Sequence, residues 1–349
     1  MPVSTLPKSA LPQNPLGQTS VQVTTLGFGA ATLGNLYRTV TDEVAQASLS
    51  AALDAGVRYV DTAPHYGQGL SERRVGTGLK GLDITLSTKV GRVLKPIPAP
   101  PKGTERHGFI DGDPYEPHFD YSYDGIMQSF EDSLKRLQRD RVDILLVHDL
   151  GEVTHGADAA HHMKTFLDSG YRALSLLKSD GRVGAIGLGV NEWQVCETVM
   201  QAVDMDAFLL AGRYTLLEQT ALEGFLPDCQ RKKISIILGG PFNSGILAEG
   251  VSGNVTPHYN YEPAPPHIIR QVAAIEAVCA AHKVPLAAAA LQFPLAHPAV
   301  ACVIPGMANA AQVAANLDLL ATPIPAQLWY DLKSEDLLSA DAPVPAQAA

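Results

Sequence analysis

Eight short apolar runs, each followed by a helix-patterned segment, recur between Thr24 and Leu320. They read "TTLGFGAATLG", "VRYVDT", "ITLSTKV", "VDILLVHD", "VGAIGLGVN", "DAFLLAGR", "ISIILGG" and "ACVIPG". Runs of this length, apolar throughout rather than alternating, suit strands buried on both faces. The intervening helices are expected at 41–55, 70–79, 123–139, 164–179, 193–202, 218–231, 267–282 and 309–320. The first opens on "TDE", an N-cap with an acidic first turn, and closes at Gly56. Strands alternating with helices imply parallel βαβ units. Eight of them fit an α/β fold of the (β/α)8 TIM-barrel type better than a doubly wound sheet. No G-x-G-x-x-G follows the first run, which removes the main mark of a Rossmann domain. One barrel is therefore expected over 21–338, with a flexible extension over 1–20 and a tail over 339–349. Three long connections, 91–121, 149–163 and 241–266, would sit over the C-terminal face of the barrel, and loops of such length are usually functional.

Charge excludes one class of partner. The 26 lysines and arginines against 36 acids leave a net charge of −10, whereas nucleic-acid binding needs clustered cations. The four cysteines, Cys196, Cys229, Cys279 and Cys302, are far apart and form no C-x-x-C pair, as expected of buried thiols in a cytoplasmic protein. No apolar run reaches the length of about 18 residues that a membrane span needs. His155, His161 and His162 lack an H-E-x-x-H pattern, so no metal site is expected.

In a parallel barrel the active site lies where the strands end. The ends here include Asp61, Lys89, His148, Asn191, Arg213 and Gly240. Asp61 lies in "VDTAPHYG", which also carries His65 and Tyr66. A phenol with its ordinary pKa of about 10 is a poor acid or base at neutral pH. A neighbouring ammonium favours its phenolate, and a carboxylate keeps that ammonium charged and in place. Asp61 and Lys89 on adjacent strand ends make such a pair, Tyr66 reaches it from the following loop, and His148 is placed to polarise a substrate oxygen. That set suits proton transfer coupled to hydride transfer at a carbinol or carbonyl carbon.

The same residues carry a resemblance. "DTAPHYG", "STKVG" and "DILLVHD" place Asp61, Tyr66, Lys89 and His148 in the order and spacing of the aldo-keto reductase superfamily, over about Leu26 to Leu320. "PHYGQGLSERRVG" and "ALQFPLAHPAV" resemble the branch that holds D-threo-aldose 1-dehydrogenases (L-fucose and L-galactose dehydrogenases) and pyridoxal 4-dehydrogenase. The resemblance implies that Tyr66 is the general acid/base, that Lys89 and Asp61 tune it, and that His148 orients the substrate oxygen. It implies oxidation of an aldose at its anomeric hydroxyl to a lactone. Pyridoxal oxidation and generic aldehyde reduction are the alternatives. Some superfamily members serve as ion-channel subunits, a role against which the intact tetrad speaks.

The resemblance also implies an extended nicotinamide dinucleotide. Asn191 would hold its carboxamide, and Gly240, Pro241, Phe242, Asn243, Ser244 and Leu247 its pyrophosphate. Pro305, Gly306, Gln312 and Asn316 would lie at the adenosine. NADP-dependent relatives place a cation near Gly306 and Gln312, and this chain has no lysine or arginine between Ile304 and Leu320. A 2′-phosphate would go uncompensated, so NAD is expected over NADP. Two departures accompany this: Gly239 stands where many relatives stack an aromatic ring, and Ala211 where others place a glutamine. His65 and Tyr121 are the expected substrate contacts, with a solvated loop position as the alternative for His65. Tyr115, His118, Asp120 and Tyr123 add polar groups suited to a sugar. The partner is thus a small molecule, with no nucleic acid and no membrane; the sequence does not specify an oligomeric state.

Overall fold

The computed structural model describes residues 11–253 and 256–346. Its strands run in chain order as β1 (Gln13–Pro15), β2 (Gln22–Thr24), β3 (Phe28–Gly29), β4 (Tyr59–Asp61), β5 (Thr85–Val90), β6 (Arg92–Pro96), β7 (Glu105–Arg106) and β8 (Phe109–Ile110). There follow β9 (Tyr115–Phe119), β10 (Val142–His148), β11 (Val183–Val190), β12 (Ala207–Ala211), β13 (Ser235–Gly239), β14 (His258–Tyr259), β15 (Glu262–Pro263) and β16 (Val300–Ile304). One eight-stranded parallel sheet is ordered β3-β4-β5-β10-β11-β12-β13-β16. Its two edges meet through Gly27 N–H to Val303 O and Val303 N–H to Thr25 O, both at 2.9 Å. That closes the sheet into the expected (β/α)8 barrel, which removes both edges.

Burial follows from the strand pattern. Alternate residues of β10 face opposite ways: Ile144 and Leu146 fill the barrel with Tyr59, Leu209 and Ile237, while Leu145 and Val147 pack under the helices. The helix α1 (Asp42–Asp54) starts where expected, with Thr41 accepting from Val44 N–H. The helix α2 (Leu70–Gly78) and the helix α3 (Tyr123–Leu137) follow β4 and β9.

Three regions differ from expectation. Residues 11–20, within the extension expected to be flexible, hold β1, which pairs antiparallel with β2, and Leu16 is fully buried with Val21 and Val23 against the barrel interior. A barrel has an apolar floor at its N-terminal end, and this hairpin covers it. Residues 1–10, the rest of that extension, lie outside the described residues, as do 347–349 of the tail. The tail itself follows a helix at Ala326–Ser334 and packs on it, with Ala342 buried. The spacing of Leu328, Trp329 and Leu332, all buried, signals that helix. Finally, 91–121 contains two antiparallel ladders, β6 with β9 and β7 with β8, and 241–266 contains a third, β14 with β15.

Candidate active site

Asp61 ends β4, and Lys89 lies one residue before the end of β5. Ser87 and Lys89, two apart on β5, turn to the same side, and both reach Asp61. Ser87 Oγ donates to Asp61 Oδ1 at 2.7 Å. Lys89 Nζ donates to both Asp61 oxygens, at 3.0 and 2.8 Å, to Thr62 O at 3.0 Å and to Tyr66 Oη at 3.1 Å. Lysine is rarely so buried without a partner; Lys89 is 1% exposed. Burial alone would strip its charge, but Asp61 and Tyr66 outweigh that and hold its pKa above the ordinary lysine value. Burial pushes the Tyr66 phenol up to about 12, with Lys89 pulling it down and Asp61 pushing it up.

The backbone of Tyr66 is set by two glycines. A Cβ on Gly34 would stand 2.5 Å from Tyr66 C. A Cβ on Gly67, whose φ is +65°, would stand 2.4 Å from Gly34 O. Backbone therefore lies directly on backbone at the loop that carries the phenol.

His148 ends β10, its ring centroid 5.9 Å from that of Tyr66 in an edge-on arrangement. Burial, then the Arg92 and Lys89 charges, hold its pKa well below the ordinary histidine value, so it is neutral at pH 7. Tyr66, Lys89 and His148 line a cavity of about 440 Å³. His65 lines it, as expected. Tyr37, Glu105, His107, Phe109 and Tyr261, from the connections between barrel strands and helices, line it too and were not read from the sequence. The connections 91–121 and 241–266 thus do cover the barrel mouth, but through Glu105–Phe109 and Tyr261. Tyr115, His118, Asp120 and Tyr123 lie elsewhere; Tyr115 and His118 are occupied in the β6–β9 ladder.

Tyr121 is likewise not a wall residue. It is 1% exposed, and its hydroxyl contacts His148 O at 2.8 Å, Asp149 O at 3.1 Å and His155 Nε2 at 2.8 Å. A tyrosine facing inward against a strand end braces that end instead of meeting ligand. Glu72 of "SERR" is also structural: fully buried, it accepts from Thr88 Oγ1 at 2.5 Å and Arg136 Nε at 2.6 Å. A larger cleft of about 690 Å³ opens beyond Asn191, between Leu150 and Trp193. It holds none of Asp61, Tyr66, Lys89 and His148, so the smaller cavity, which Tyr66, Lys89 and His148 line, is the candidate active site.

The groups expected at a dinucleotide are distributed around the ends of β11, β13 and β16. Asn191 lines the cavity, with its Nδ2 donating to Asp149 Oδ1 at 3.3 Å. Gly240 is exposed with φ +57°, and Asn243 and Ser244 also take positive φ. Among the described residues the amides of Phe242 and Ser244 find no protein acceptor, and the buried Asn243 Oδ1 is unpartnered. A run of amides in such turns forms an anion-binding concavity, so the loop fits a pyrophosphate. Pro241 is buried and supplies shape alone. Leu247 departs from expectation: its side chain is fully buried in the core. Pro305 is buried and Gly306 exposed. Gln312 Oε1 accepts from Ala308 N–H at 2.7 Å, and Asn316 Nδ2 donates to Gln312 O at 3.0 Å. The Gln312 side chain is thus partly committed to the turn before its helix (Ala310–Ala321), and that of Asn316 to the helix itself.

The Aldo/keto reductase family model matches residues 25–335. The chain belongs to the aldo/keto reductase family. This oxidoreductase, acting on CH–OH or carbonyl groups, is 41% identical over 334 residues to the pyridoxal 4-dehydrogenase of Microbacterium luteolum, covering 93% of this chain and 97% of that one. It is 39% identical over 318 residues to the D-threo-aldose 1-dehydrogenase of a Pseudomonas species, covering 90% and 94%. Both names are those of the branch expected from the sequence. Among solved structures, an aldo-keto reductase of Bacillus halodurans in its holo form superposes with a TM-score of 0.73 at 26% identity, covering 95% of this chain and 98% of that one. Members of the family use nicotinamide cofactors.

Proposed function

We propose that this enzyme is an NAD-dependent dehydrogenase that oxidises the anomeric hydroxyl of an aldose, of the L-fucose, L-galactose or D-arabinose type, to its lactone. The observation that carries the proposal is Lys89 Nζ, which bridges the Asp61 carboxylate and the Tyr66 hydroxyl beside the cavity. Tyr66 is the general acid/base. In reduction its phenol gives a proton to the carbonyl oxygen, and in oxidation its phenolate takes the hydroxyl proton. Lys89 supports the phenolate, and Asp61 keeps Lys89 charged and aimed. His148, neutral, holds the substrate oxygen by hydrogen bonding. A bound nicotinamide would supply the hydride acceptor for the anomeric carbon. Asn191 would hold its carboxamide, the Phe242 and Ser244 amides its pyrophosphate, and residues from Pro305 to Asn316 its adenosine.

The lack of lysine or arginine from Ile304 to Leu320 supports NAD over NADP. Pyridoxal is the second reading, because its hemiacetal undergoes the same chemistry and the rings of Tyr37, Phe109 and Tyr261 are among those that line the cavity. The test is NADH formation with L-fucose, L-galactose, D-arabinose, D-glucose and pyridoxal, repeated with NADP and with Tyr66→Phe. L-sugar turnover with NAD, lost in the variant, supports the first reading. Pyridoxal turnover alone supports the second. A higher kcat/KM with NADP refutes the cofactor assignment, and turnover retained in Tyr66→Phe refutes the acid/base.

A further inference from the structure

Beside the tetrad lies a second charged cluster that the mechanism above leaves unused. Arg92 opens β6 and is 9% exposed. Its Nη2 donates to Asp149 Oδ2, its Nη1 lies 3.1 Å from His65 Nδ1, and its guanidinium stands 4.7 Å over the Phe119 ring. Asp149 follows His148, is buried, and takes φ +51°. An aspartate tolerates that left-handed conformation at a cost, and such residues gather at functional sites. Its carboxylate also meets Asn191 Nδ2 at 3.3 Å and stands 3.4 Å from His148 Nε2. The pair thus touches His65, His148 and Asn191 at once.

Arginine only donates hydrogen bonds. A contact between Arg92 Nη1 and His65 Nδ1 therefore requires a bare Nδ1, which leaves the proton of neutral His65 on Nε2. That nitrogen has no protein partner among the described residues, and His65 lines the cavity. We propose that Arg92, clamped by Asp149, is a positioning residue that fixes His65 as an Nε2–H donor toward a second oxygen of the substrate, one next to the oxidised carbon. Aldoses carry such an oxygen on the adjacent carbon, C2; the nearest equivalent in pyridoxal is its phenol, one carbon further away. The substrate half of this inference rests on the hemiacetal reading above; the tautomer half does not.

The groups around His65 agree. Arg92 and Asp149 lie behind it, Lys89 and Tyr66 beside it, and the His107, His148 and Phe109 rings stand 5.8, 5.9 and 5.4 Å away. Burial, then Arg92, His107 and Lys89, hold it neutral at pH 7.

Two experiments test this. Long-range proton–nitrogen spectra of the ligand-free enzyme, uniformly labelled at histidine nitrogen and with His65 assigned by its loss in His65→Gln, report the tautomer directly. The expected result is a neutral Nε2–H form, unchanged from pH 6 to 8. An Nδ1–H form, or a protonated ring at pH 7, overturns the proposal whatever the substrate proves to be. The second compares L-fucose with 2-deoxy-L-fucose, and pyridoxal with 3-deoxypyridoxal, using whichever parent turns over. Removing the neighbouring oxygen should lower kcat/KM roughly tenfold in the wild type, and the penalty should vanish in His65→Phe. Arg92→Lys should restore part of the penalty that Arg92→Met loses. An equal penalty in wild type and His65→Phe overturns the ligand contact. Absence of turnover on every hemiacetal would refute the hemiacetal reading and leave the tautomer result to stand or fall by itself.

Discussion

The Lys89–Asp61 pair offers a test in which stability and catalysis separate. Lys89 is 1% exposed and Asp61 is 2% exposed, with 2.8 Å between Nζ and Oδ2. At that distance and an effective dielectric of about 20, their attraction is about 6 kcal/mol. Burying both charges costs a comparable amount, so the pair as a whole adds little to stability. Removing one partner is different. Lys89→Met leaves the Asp61 carboxylate buried with Ser87 Oγ as its remaining donor among those described, at an expected cost of about 3–5 kcal/mol. Asp61→Asn strands the ammonium in the same way. The double variant strands neither, so its loss should be smaller than the sum of the two by at least about 3 kcal/mol, and smaller than that of Lys89→Met alone. Urea unfolding of the four proteins measures this coupling. Oxidation should nevertheless fall by about 10²–10⁴ in kcat in all three variants, because each lacks part of the group that supports the Tyr66 phenolate. Stability losses that add within about 0.5 kcal/mol would refute the reasoning, as would a double variant that regains activity along with stability.

The other expectations concern pH and packing. Burial, the largest cause in each, pushes Tyr37, Tyr66 and Tyr259 up to about 12, against about 10 in an unfolded chain. The folded state therefore keeps protons that the unfolded state releases, and the stability they contribute, full below pH 10, is lost as pH rises from 10 to 12. On the acid side, burial lowers His297 to about 4. Its contribution is full above pH 6.5 and is lost as pH falls to 4, so His297→Gln should flatten the urea midpoint across that window. Arg136→Met should cost about 3–5 kcal/mol by stranding the buried Glu72; calorimetry showing no change would refute a structural role for that pair. Leu16→Ala should cost about 2–5 kcal/mol if the β1–β2 hairpin seals the barrel floor, and a loss under about 0.5 kcal/mol would show the hairpin to be loosely held.

The barrel and its tetrad were legible for the same reason. Strands buried on both faces must be written as unbroken apolar runs, and a lysine or aspartate at the end of such a run stands out against them. Arg92 and Asp149 were not legible, although each follows a tetrad strand end within three residues. Their contact joins positions far apart in sequence, and each alone reads as a loop charge. The cavity wall was hidden for a different reason. Tyr37, His107 and Tyr261 adopt positive φ, at +60°, +53° and +67°, a conformation that a reader of sequence assigns to glycine or asparagine. Tyr121 misled because a tyrosine in a polar loop looks available, whereas its hydroxyl is spent on the backbone of the His148–Asp149 corner. The β1–β2 hairpin was not legible because its strands are only three residues long, while the buried Leu16, Val21 and Val23 hold it in place.

The backbone contact at Gly34 and Gly67 bears on how far such an enzyme can be re-tuned. The rings of Tyr37, His107, Phe109 and Tyr261 reach the cavity from the connections around the barrel mouth, and exchanges there are expected to change substrate range. The phenol is seated by two positions where even a methyl group has no room, so no neutral path of small changes leads through them. Directed evolution toward new substrates should therefore find its gains in those loops, and selected libraries should return glycine at 34 and 67 whatever the substrate applied.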